Sequence, residues 1–383
     1  MIVRNLELSH FRNYRKCIAE LSPGINWICG ANGQGKTNLV EALFYLCNLE
    51  SFRTRKIPHL LHEKSSEATI TSQVDSKNVQ HLISVNLSNK GRQVILDNSL
   101  VRKVSEYTPT YMALALTPED VNLFRNIPQE RRKFFNRIIS FKDSIYIKNF
   151  QEYSKIISEK NALLKQGVTD QLPLWNSMLA RSAVKLMKQR NNFVELINNY
   201  LSDVFKELSG RDEILKLVYK PSFITNNLQE SEILLHLKKN LTRDLQYGFS
   251  VTGPHRDEYQ LILDGKKDRD YFSQGEFRIT NLSLIMTINR LLYNRYSFTP
   301  VLIFDDLFSE LDDEVVNSAF KYFFQLKNQI FITSTSEPIK SSPGKQFKVV
   351  EGQLGSIHNQ IKYFICISKE QYAGKSKCRS HRL

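Results

Sequence analysis

The sequence predicts an α/β fold, a mixed β-sheet with helices plus an antiparallel β-meander, interrupted by an inserted compact helical lobe. Three observations carry that expectation. An apolar segment at residues 25–29 runs into a glycine-rich loop and then a helical stretch. A second apolar run, Val301-Leu302-Ile303-Phe304, ends in two aspartates, which is how a buried parallel strand reads. Between the two, the apolar period changes from that of strands to that of helices and back again.

Residues 1–11 alternate, with Ile2, Leu6, Leu8 and Phe11 set against Arg4, Asn5, Glu7 and His10, and predict a strand. Pro23-Gly24 marks a turn. After the glycine-rich residues 30–37, Leu39, Leu43 and Leu46 recur at helical spacing. Residues 68–100 return to period two, with Leu82, Val85 and Leu87, then Val94 and Leu96. The pairs Lys90-Gly91 and Asp97-Asn98 punctuate them, which predicts a β-meander. Residues 128–208 are helical in pattern. Phe134, Ile138 and Phe141 share one face, and Tyr153, Ile156, Lys160 and Leu163 another. A long stripe of Trp175, Met178, Leu179, Leu186, Phe193, Ile197, Leu201 and Phe205 reads as helical core. The break at residues 167–173 predicts a helical hairpin, and sustained heptads are missing, so the lobe should be compact. Strand character resumes at residues 247–251 and 258–263. The run at 301–304 is followed by a helix at 312–326 and a second buried strand at 329–333. The expected organisation is a discontinuous head, residues 1–120 and 246–357, with a mainly helical lobe at 121–245 inserted in it. Residues 358–383 form a basic tail, expected to be flexible and read either as a phosphate-seeking arm or as a solvated end.

Composition narrows the function classes. A hydrophobic fraction of 41% and a charged fraction of 24% across 383 residues provide for a packed core and exclude whole-chain disorder. Lys plus Arg is 53 and Asp plus Glu is 39, a net charge of +14 that points to a polyanionic partner, nucleic acid above all. No apolar run approaches the ~20 residues of a membrane span. Residues 1–10 lack the continuous apolar stretch of a secretion signal. Cys17, Cys29, Cys47, Cys366 and Cys378 form no C-x-x-C pair, which leaves neither a zinc knuckle nor a disulfide framework. The chain reads as cytoplasmic, with no membrane partner.

Gly30-Ala31-Asn32-Gly33-Gln34-Gly35-Lys36-Thr37 fits the phosphate-loop pattern G-x-x-x-x-G-K-[ST]. The spacing has a physical cause. Glycines let the backbone curl until successive N–H groups face a phosphate, and the following helix aims its positive end at the same anion. Lys36 is placed to reach the β- and γ-phosphates, and the Thr37 hydroxyl to ligate Mg2+. Asp305, at the end of the apolar run, is the second metal-side candidate. Asp306 is read either as the catalytic residue that orients or deprotonates water or as an acid at a helix N-terminus. The two motifs together point to ATP or GTP.

Three further segments choose the machine. Ser273-Gln274-Gly275, ahead of a helix, resembles the signature motif of ABC-type ATPases, in which one subunit's signature covers the γ-phosphate held by another's phosphate loop. Ser309-Glu310-Leu311-Asp312 resembles that superfamily's D-loop. Thr333-Ser334-Thr335 stands where its switch residue meets the γ-phosphate. More specifically, five sets of residues resemble the bacterial RecF family of recombination mediators. They are Phe11-Arg12-Asn13-Tyr14, residues 32–39, Ser51-Phe52-Arg53-Thr54, Pro118-Glu119-Asp120 with Arg131-Arg132-Lys133-Phe134, and Thr252-Gly253-Pro254-His255-Arg256-Asp257. The resemblance covers about residues 1–355. Glu276-Phe277 departs from the Gln-Gln or Glu-Gln pair usual after the signature in that family.

The resemblance implies an ABC-type head that binds ATP and Mg2+ and dimerises head to tail around two nucleotides. It implies that the ATP-bound dimer holds DNA at gaps or junctions and that slow, DNA-stimulated hydrolysis releases it. It further implies work with RecO- and RecR-type partners in recombinase loading, replication restart and the SOS response. Arg131, Arg132, Lys133 and Arg137 and residues 53–56 are candidate phosphate contacts, or else partners of local acids. His255 and Arg256 are read as interface or nucleotide-sensing groups, with structural hydrogen bonding the alternative for His255. Two rivals share the phosphate loop. The ATPase subunit of a transporter would need a surface for membrane helices and has no reason for the positive charge. A metabolic P-loop kinase would need an acceptor pocket and has no use for Ser273-Gln274-Gly275.

Overall fold

The computed structural model describes residues 1–107, 110–118, 123–124, 128–141, 143–223, 228–267, 272–336 and 343–357. Glu119, Asp120, Tyr271 and the tail at 358–383 lie outside the described residues.

The N-terminal alternation becomes β1 (Ile2–Val3) and β2 (Asn5–Phe11), followed by β3 (Tyr14–Glu20) and β4 (Ile25–Cys29). Helix α1 (Lys36–Asn48) leaves the glycine-rich loop. The meander is β5 (Glu67–Ser76), β6 (Val79–Ser88), β7 (Gly91–Leu96) and β8 (Ser99–Leu100). Its turns at Lys77-Asn78 and Asp97-Asn98 hold both central residues at positive φ, the backbone that matches strand twist in two-residue hairpins. A short α2 (Val104–Tyr107) leads to β9 (Ala113–Leu116).

The helical lobe follows as α3 (Pro128–Ser140), α4 (Ser144–Gln166), α5 (Leu172–Asn198) and α6 (Leu201–Ser209). The expected hairpin is there: α4 ends on Gly167 at φ 72°, and Pro173 sits in the first turn of α5, where its missing N–H costs nothing. The lobe is not purely helical. β10 (Leu215–Lys220) pairs antiparallel with β11 (Glu258–Leu263), beyond α7 (Glu230–Lys239) and α8 (Leu241–Tyr247), and β12 (Lys266–Lys267) completes a three-stranded sheet. The strand expected at residues 247–251 is absent. Tyr247 ends α8, and residues 248–251 are irregular because the Asp244 carboxylate takes the Val251 N–H at 2.8 Å in place of a strand partner.

The chain then forms α9 (Gln274–Tyr296), β13 (Val301–Phe304), α10 (Asp313–Phe324), β14 (Ile330–Ser334), β15 (Lys345–Val350) and β16 (Gln353–Ile357). The last two strands had no signal in the sequence reading. Their hairpin turns on Glu351-Gly352, again with two positive φ values.

Two sheets position the site. The central one runs β16-β15-β4-β14-β13-β9, parallel throughout except for β16. The other, β3-β2-β5-β6-β7-β8 with β1 on β5, is antiparallel. Alternate residues of the central strands feed two cores. Ile28, Val301, Ile303 and Phe331 face α1 and the antiparallel sheet, whereas Trp27, Leu302, Phe304 and Ile332 face α9, α10 and the helical lobe. Burial on both faces explains why β4 and β13 read as continuous apolar runs. Each of the β13 side chains contributes roughly 1.5–3 kcal/mol by leaving water.

Candidate functional site

The glycine-rich loop leaves the C-terminal end of β4, beside β14, at the edge where parallel sheets present ligands. Gly30 has no room for a side chain, because a Cβ would stand 2.4 Å from the Val349 carbonyl oxygen of β15. Gly35 lies at φ 115° with the Asn13 amide 2.5 Å from where a Cβ would be. It starts α1 without a side-chain cap, and no acid occupies the first turn, so the positive end of α1 is left to an outside anion.

Lys36 is folded over the loop, its Nζ donating to the carbonyls of Gly30 at 2.8 Å and Ala31 at 2.9 Å. The Thr37 hydroxyl donates to Asp305, at 2.8 Å to Oδ2 and 3.1 Å to Oδ1. Two groups far apart in the chain are thus brought into contact. Asp305 is also anchored by Thr333, whose hydroxyl donates to its Oδ1 at 2.6 Å. Thr333 in turn accepts the N–H of Asp306 at 2.9 Å. Asp306 sits in the left-handed region at φ 49° and begins the 3-10 turn Leu307–Glu310, which contains the start of the expected D-loop. Hydroxyl and carboxylate oxygens together form the hard donor set that Mg2+ takes, so the residues fit the metal.

A set of side chains braces this loop; of them the sequence reading gave a role only to Arg53, as a candidate phosphate contact. Glu41 of α1 is completely buried. Arg12 grips it with two bonds at 2.9 and 2.8 Å, Ser51 donates at 2.5 Å, and Arg53 approaches to 3.6 Å. Arg53 also donates to Asn38 at 2.9 Å, and Asn38 to Asn13 at 2.8 Å. Asn13 and Tyr14 then donate to the carbonyls of Gln34 and Gly35. The Phe11-Arg12-Asn13-Tyr14 and Ser51-Phe52-Arg53-Thr54 blocks therefore meet on one helix and hold the loop from outside. The signal was present as one acid in the apolar stretch Leu39-Val40-Glu41-Ala42-Leu43. From the other side, Gln34 accepts the N–H groups of Glu351 and Gly352, on its Oε1 and its carbonyl respectively.

Ser273-Gln274-Gly275 are exposed at the start of α9. Ser273 caps the helix, its hydroxyl accepting the Glu276 N–H at 3.2 Å while Glu276 takes the Ser273 N–H at 2.8 Å. This reciprocal box gives the unusual Glu276 a local reason. Although burial pushes the Glu276 carboxyl up, the bonds from Ser273 and from Arg211, at 3.4 Å, hold it below the usual value overall.

The expected phosphate contacts of α3 fare differently. Arg131 is buried, forms a two-bond pair with Glu258 at 2.6 and 2.8 Å, and donates to the Leu123 and Phe124 carbonyls. It cannot reach a phosphate. Arg132 donates to the Asp257 carbonyl, Lys133 pairs with Glu130, and Arg137 with Glu50. Arg55 also pairs with Glu130. Local bonding is the reading that the geometry favours for these side chains.

The segment at 252–257 is a lock inside the lobe. Asp257 is fully buried and accepts from Arg190 at 2.6 Å, from the Tyr219 hydroxyl and from the Ser222 N–H at 2.9 Å. Arg190 also donates to the Pro254 carbonyl at 2.6 Å. His255 Nε2 faces the Ser250 carbonyl at 3.0 Å and must donate there, so Nδ1 accepts the Tyr153 hydroxyl at 2.6 Å. Burial pushes the His255 pKa down to about 4, so the ring is neutral. Of the two readings of His255, this geometry supports structural hydrogen bonding.

Among the described residues, no helix is long and apolar enough to cross a membrane. Residues 2–357 match the family model described as the RecF/RecN/SMC N terminal domain. The chain is 31% identical over 362 residues to the DNA replication and repair protein RecF of Lachnoclostridium phytofermentans, covering 92% of this chain and 99% of that one. To the protein of the same name from Agathobacter rectalis it is 32% identical, with the same coverage. The solved structure of the recombination mediator protein RecF with ATP, described as part of the RecFOR pathway, superposes with a TM-score of 0.84. The identity is 28%, over 93% of this chain and 98% of that one. An Smc head bound to the C-winged helix domain of ScpA shares the fold, with a TM-score of 0.56 at 16% identity.

Proposed function

Because the chain belongs to the RecF/RecN/SMC N-terminal domain family, we propose that it is an ATP-dependent DNA-binding protein of recombinational repair and replication restart. It has relatives named for DNA replication and repair and a structural relative that holds ATP. In this reading the loop at residues 30–37 receives ATP, Lys36 exchanges its carbonyl partners for the β- and γ-phosphates, and Thr37 and Asp305 hold Mg2+. The metal neutralises charge on the phosphates when bound. Ser273-Gln274-Gly275 of a second copy close over the γ-phosphate, so the nucleotide joins two chains head to tail. Asp306, started in a left-handed turn beside Asp305, orients the attacking water. Slow hydrolysis, stimulated by DNA, then opens the dimer. The same reading places the chain in the cytoplasm, with RecO- and RecR-type partners, and gives it a part in the SOS response.

The single observation that carries this reading is the contact of Thr37 with Asp305, at 2.8 Å, beside an uncapped helix N-terminus. The test is DNA binding by fluorescence anisotropy with ATP, with ADP and without nucleotide, at two salt concentrations. Affinity should rise with ATP and fall with salt. Lys36→Met should weaken ATP binding on the order of 10- to 100-fold, because it removes charge-assisted bonds to phosphate, and should abolish ATP-dependent dimerisation. Asp306→Asn should bind ATP and accumulate as the dimer. Hydrolysis at the parental rate in that variant would remove Asp306 from its role.

A further inference from the structure

The turn between β15 and β16 lies against the back of the glycine-rich loop, although Gln34 and Glu351 stand 317 residues apart in the chain. β15 runs parallel beside β4, the strand that delivers the loop, so turn and loop leave the sheet at the same edge. The approach is close. A Cβ on Gly30 would stand 2.4 Å from the Val349 carbonyl oxygen, and one on Gly352 would stand 2.5 Å from that of Asn13.

Gln34 closes the contact. The hairpin ladder ends at the pair Val350 and Gln353, which leaves the N–H groups of Glu351 and Gly352 without a partner in the hairpin. Gln34 takes both, the first on Oε1 at 2.6 Å and the second on its main-chain carbonyl at 3.0 Å. That carbonyl also accepts Asn13 Nδ2 at 3.0 Å, so both of its lone pairs are used. A trans peptide sets the next N–H opposite its carbonyl. With the Gln34 carbonyl held toward Asn13 and the turn, the Gly35 N–H points the other way, to the side on which the reading above places phosphate. Position 34 is one of the free positions in G-x-x-x-x-G-K-[ST], so phosphate chemistry does not itself demand a glutamine there.

We propose that Gln34 is a positioning residue of the nucleotide site and that the Glu351-Gly352 turn is its anchor. The turn fixes the direction of the loop N–H groups from behind, and so sets the affinity for the diphosphate that ATP and ADP share. The proposal rests on the reading that residues 30–37 receive ATP, and it adds the part played by a hairpin from the far end of the described chain.

The test is titration calorimetry of the full chain with ATP and with ADP. Gln34→Met keeps the side-chain length and removes the acceptor. It should weaken both nucleotides alike, roughly 2- to 10-fold, the range expected for one hydrogen bond. It should also raise KM for ATP hydrolysis and leave kcat unchanged, because Thr37, Asp305 and Asp306 are untouched. Gly352→Ala sets a methyl group against the Asn13 carbonyl and should weaken both nucleotides at least as much. Hydrogen exchange supplies a readout that a purely structural tie would not move. Either nucleotide should slow exchange of the Glu351 and Gly352 amides in the parent, since the coupling is reciprocal. Gln34→Met should lose that response at Glu351. Gln34 is only half-buried, so this variant should melt near the parent, and it decides with the exchange data even if Gly352→Ala fails to fold.

Parental affinity for both nucleotides in Gln34→Met overturns the proposal while nucleotide binding itself stands. A loss confined to ATP overturns it as well, because it puts Gln34 at the γ-phosphate and not behind the loop. Exchange at residues 351–352 that ignores nucleotide removes the turn as the anchor. A parent chain that binds neither nucleotide removes the reading of the site and this inference together.

Discussion

The glycine-rich loop at residues 30–37 and the turn at residues 253–257 are built with the same materials and end in different states. Each is braced by a buried carboxylate gripped by arginine, Glu41 by Arg12 in one case and Asp257 by Arg190 in the other. Around the loop, bracing groups bond the outer side and leave the helix end uncapped, with Lys36 resting on main-chain carbonyls. Around the turn, the bonds close on one another: both ring nitrogens of His255 and both carboxylate oxygens of Asp257 are bonded within the lobe. Density of polar residues therefore does not mark a site. What marks it is the polar capacity left over once the brace is complete.

The largest expected effect breaks the turn. Arg190→Met leaves Asp257 as an uncompensated buried charge and should cost about 3–5 kcal/mol in urea unfolding. The ATP affinity of the molecules that remain folded should not change. If affinity falls as far as stability, the two regions are not separable as described.

A pH effect sharpens the same point. The neutral His255 of the fold resists protonation down to about pH 4, whereas its unfolded counterpart takes a proton near 6.5. Between those values the unfolded state binds more protons, so stability falls as pH is lowered through that window and is insensitive to this group above it. The loss reaches at most about 3 kcal/mol. It should appear as the difference between the parent and His255→Asn in chemical unfolding from pH 7 to pH 4, with the variant flatter.

On the loop side the expectation reverses. Glu41→Gln removes the charge on which Arg12 and Arg53 converge and should cost about 2 kcal/mol. Because the same bonds shape the loop through Asn13 and Asn38, ATP affinity should fall too, as titration calorimetry would read. A stability loss with unchanged affinity would make Glu41 another purely structural charge.

The smallest effect is expected at Thr333. Thr333→Val keeps the shape but removes the bonds to Asp305 and to the Asp306 N–H, for about 1 kcal/mol of stability, since Thr37 still holds Asp305. Its larger consequence should be a raised Mg2+ requirement for ATP hydrolysis, restored by Thr333→Ser.

Much was legible in the sequence because it depends on neighbours in the chain. The loop, β4, α1, β13, the meander and the α4–α5 hairpin are each set by residue spacing, by glycine and proline, and by burial on one face or two. The paired turns at Asp97-Asn98 follow from the same local chemistry. Other features had no local signature. The strand character of residues 247–251 promised a strand, but the Asp244 carboxylate captured the backbone. The hairpin β15–β16 and the partnership of β10 with β11 join segments whose pairing no short window contains.

The sequence by itself determined that a glycine-rich loop leads into a helix and that an aspartate ends a buried strand, since both depend on fixed spacing and residue type. Only the tertiary structure decided which charges are committed to the fold and which stay exposed. Arg131 looked available and is buried on Glu258, whereas Arg256, from a segment otherwise locked inside, is exposed. The physical reason is that a charge is committed by what lies within about 4 Å of it, and folding brings those partners from more than a hundred residues away as readily as from the next turn.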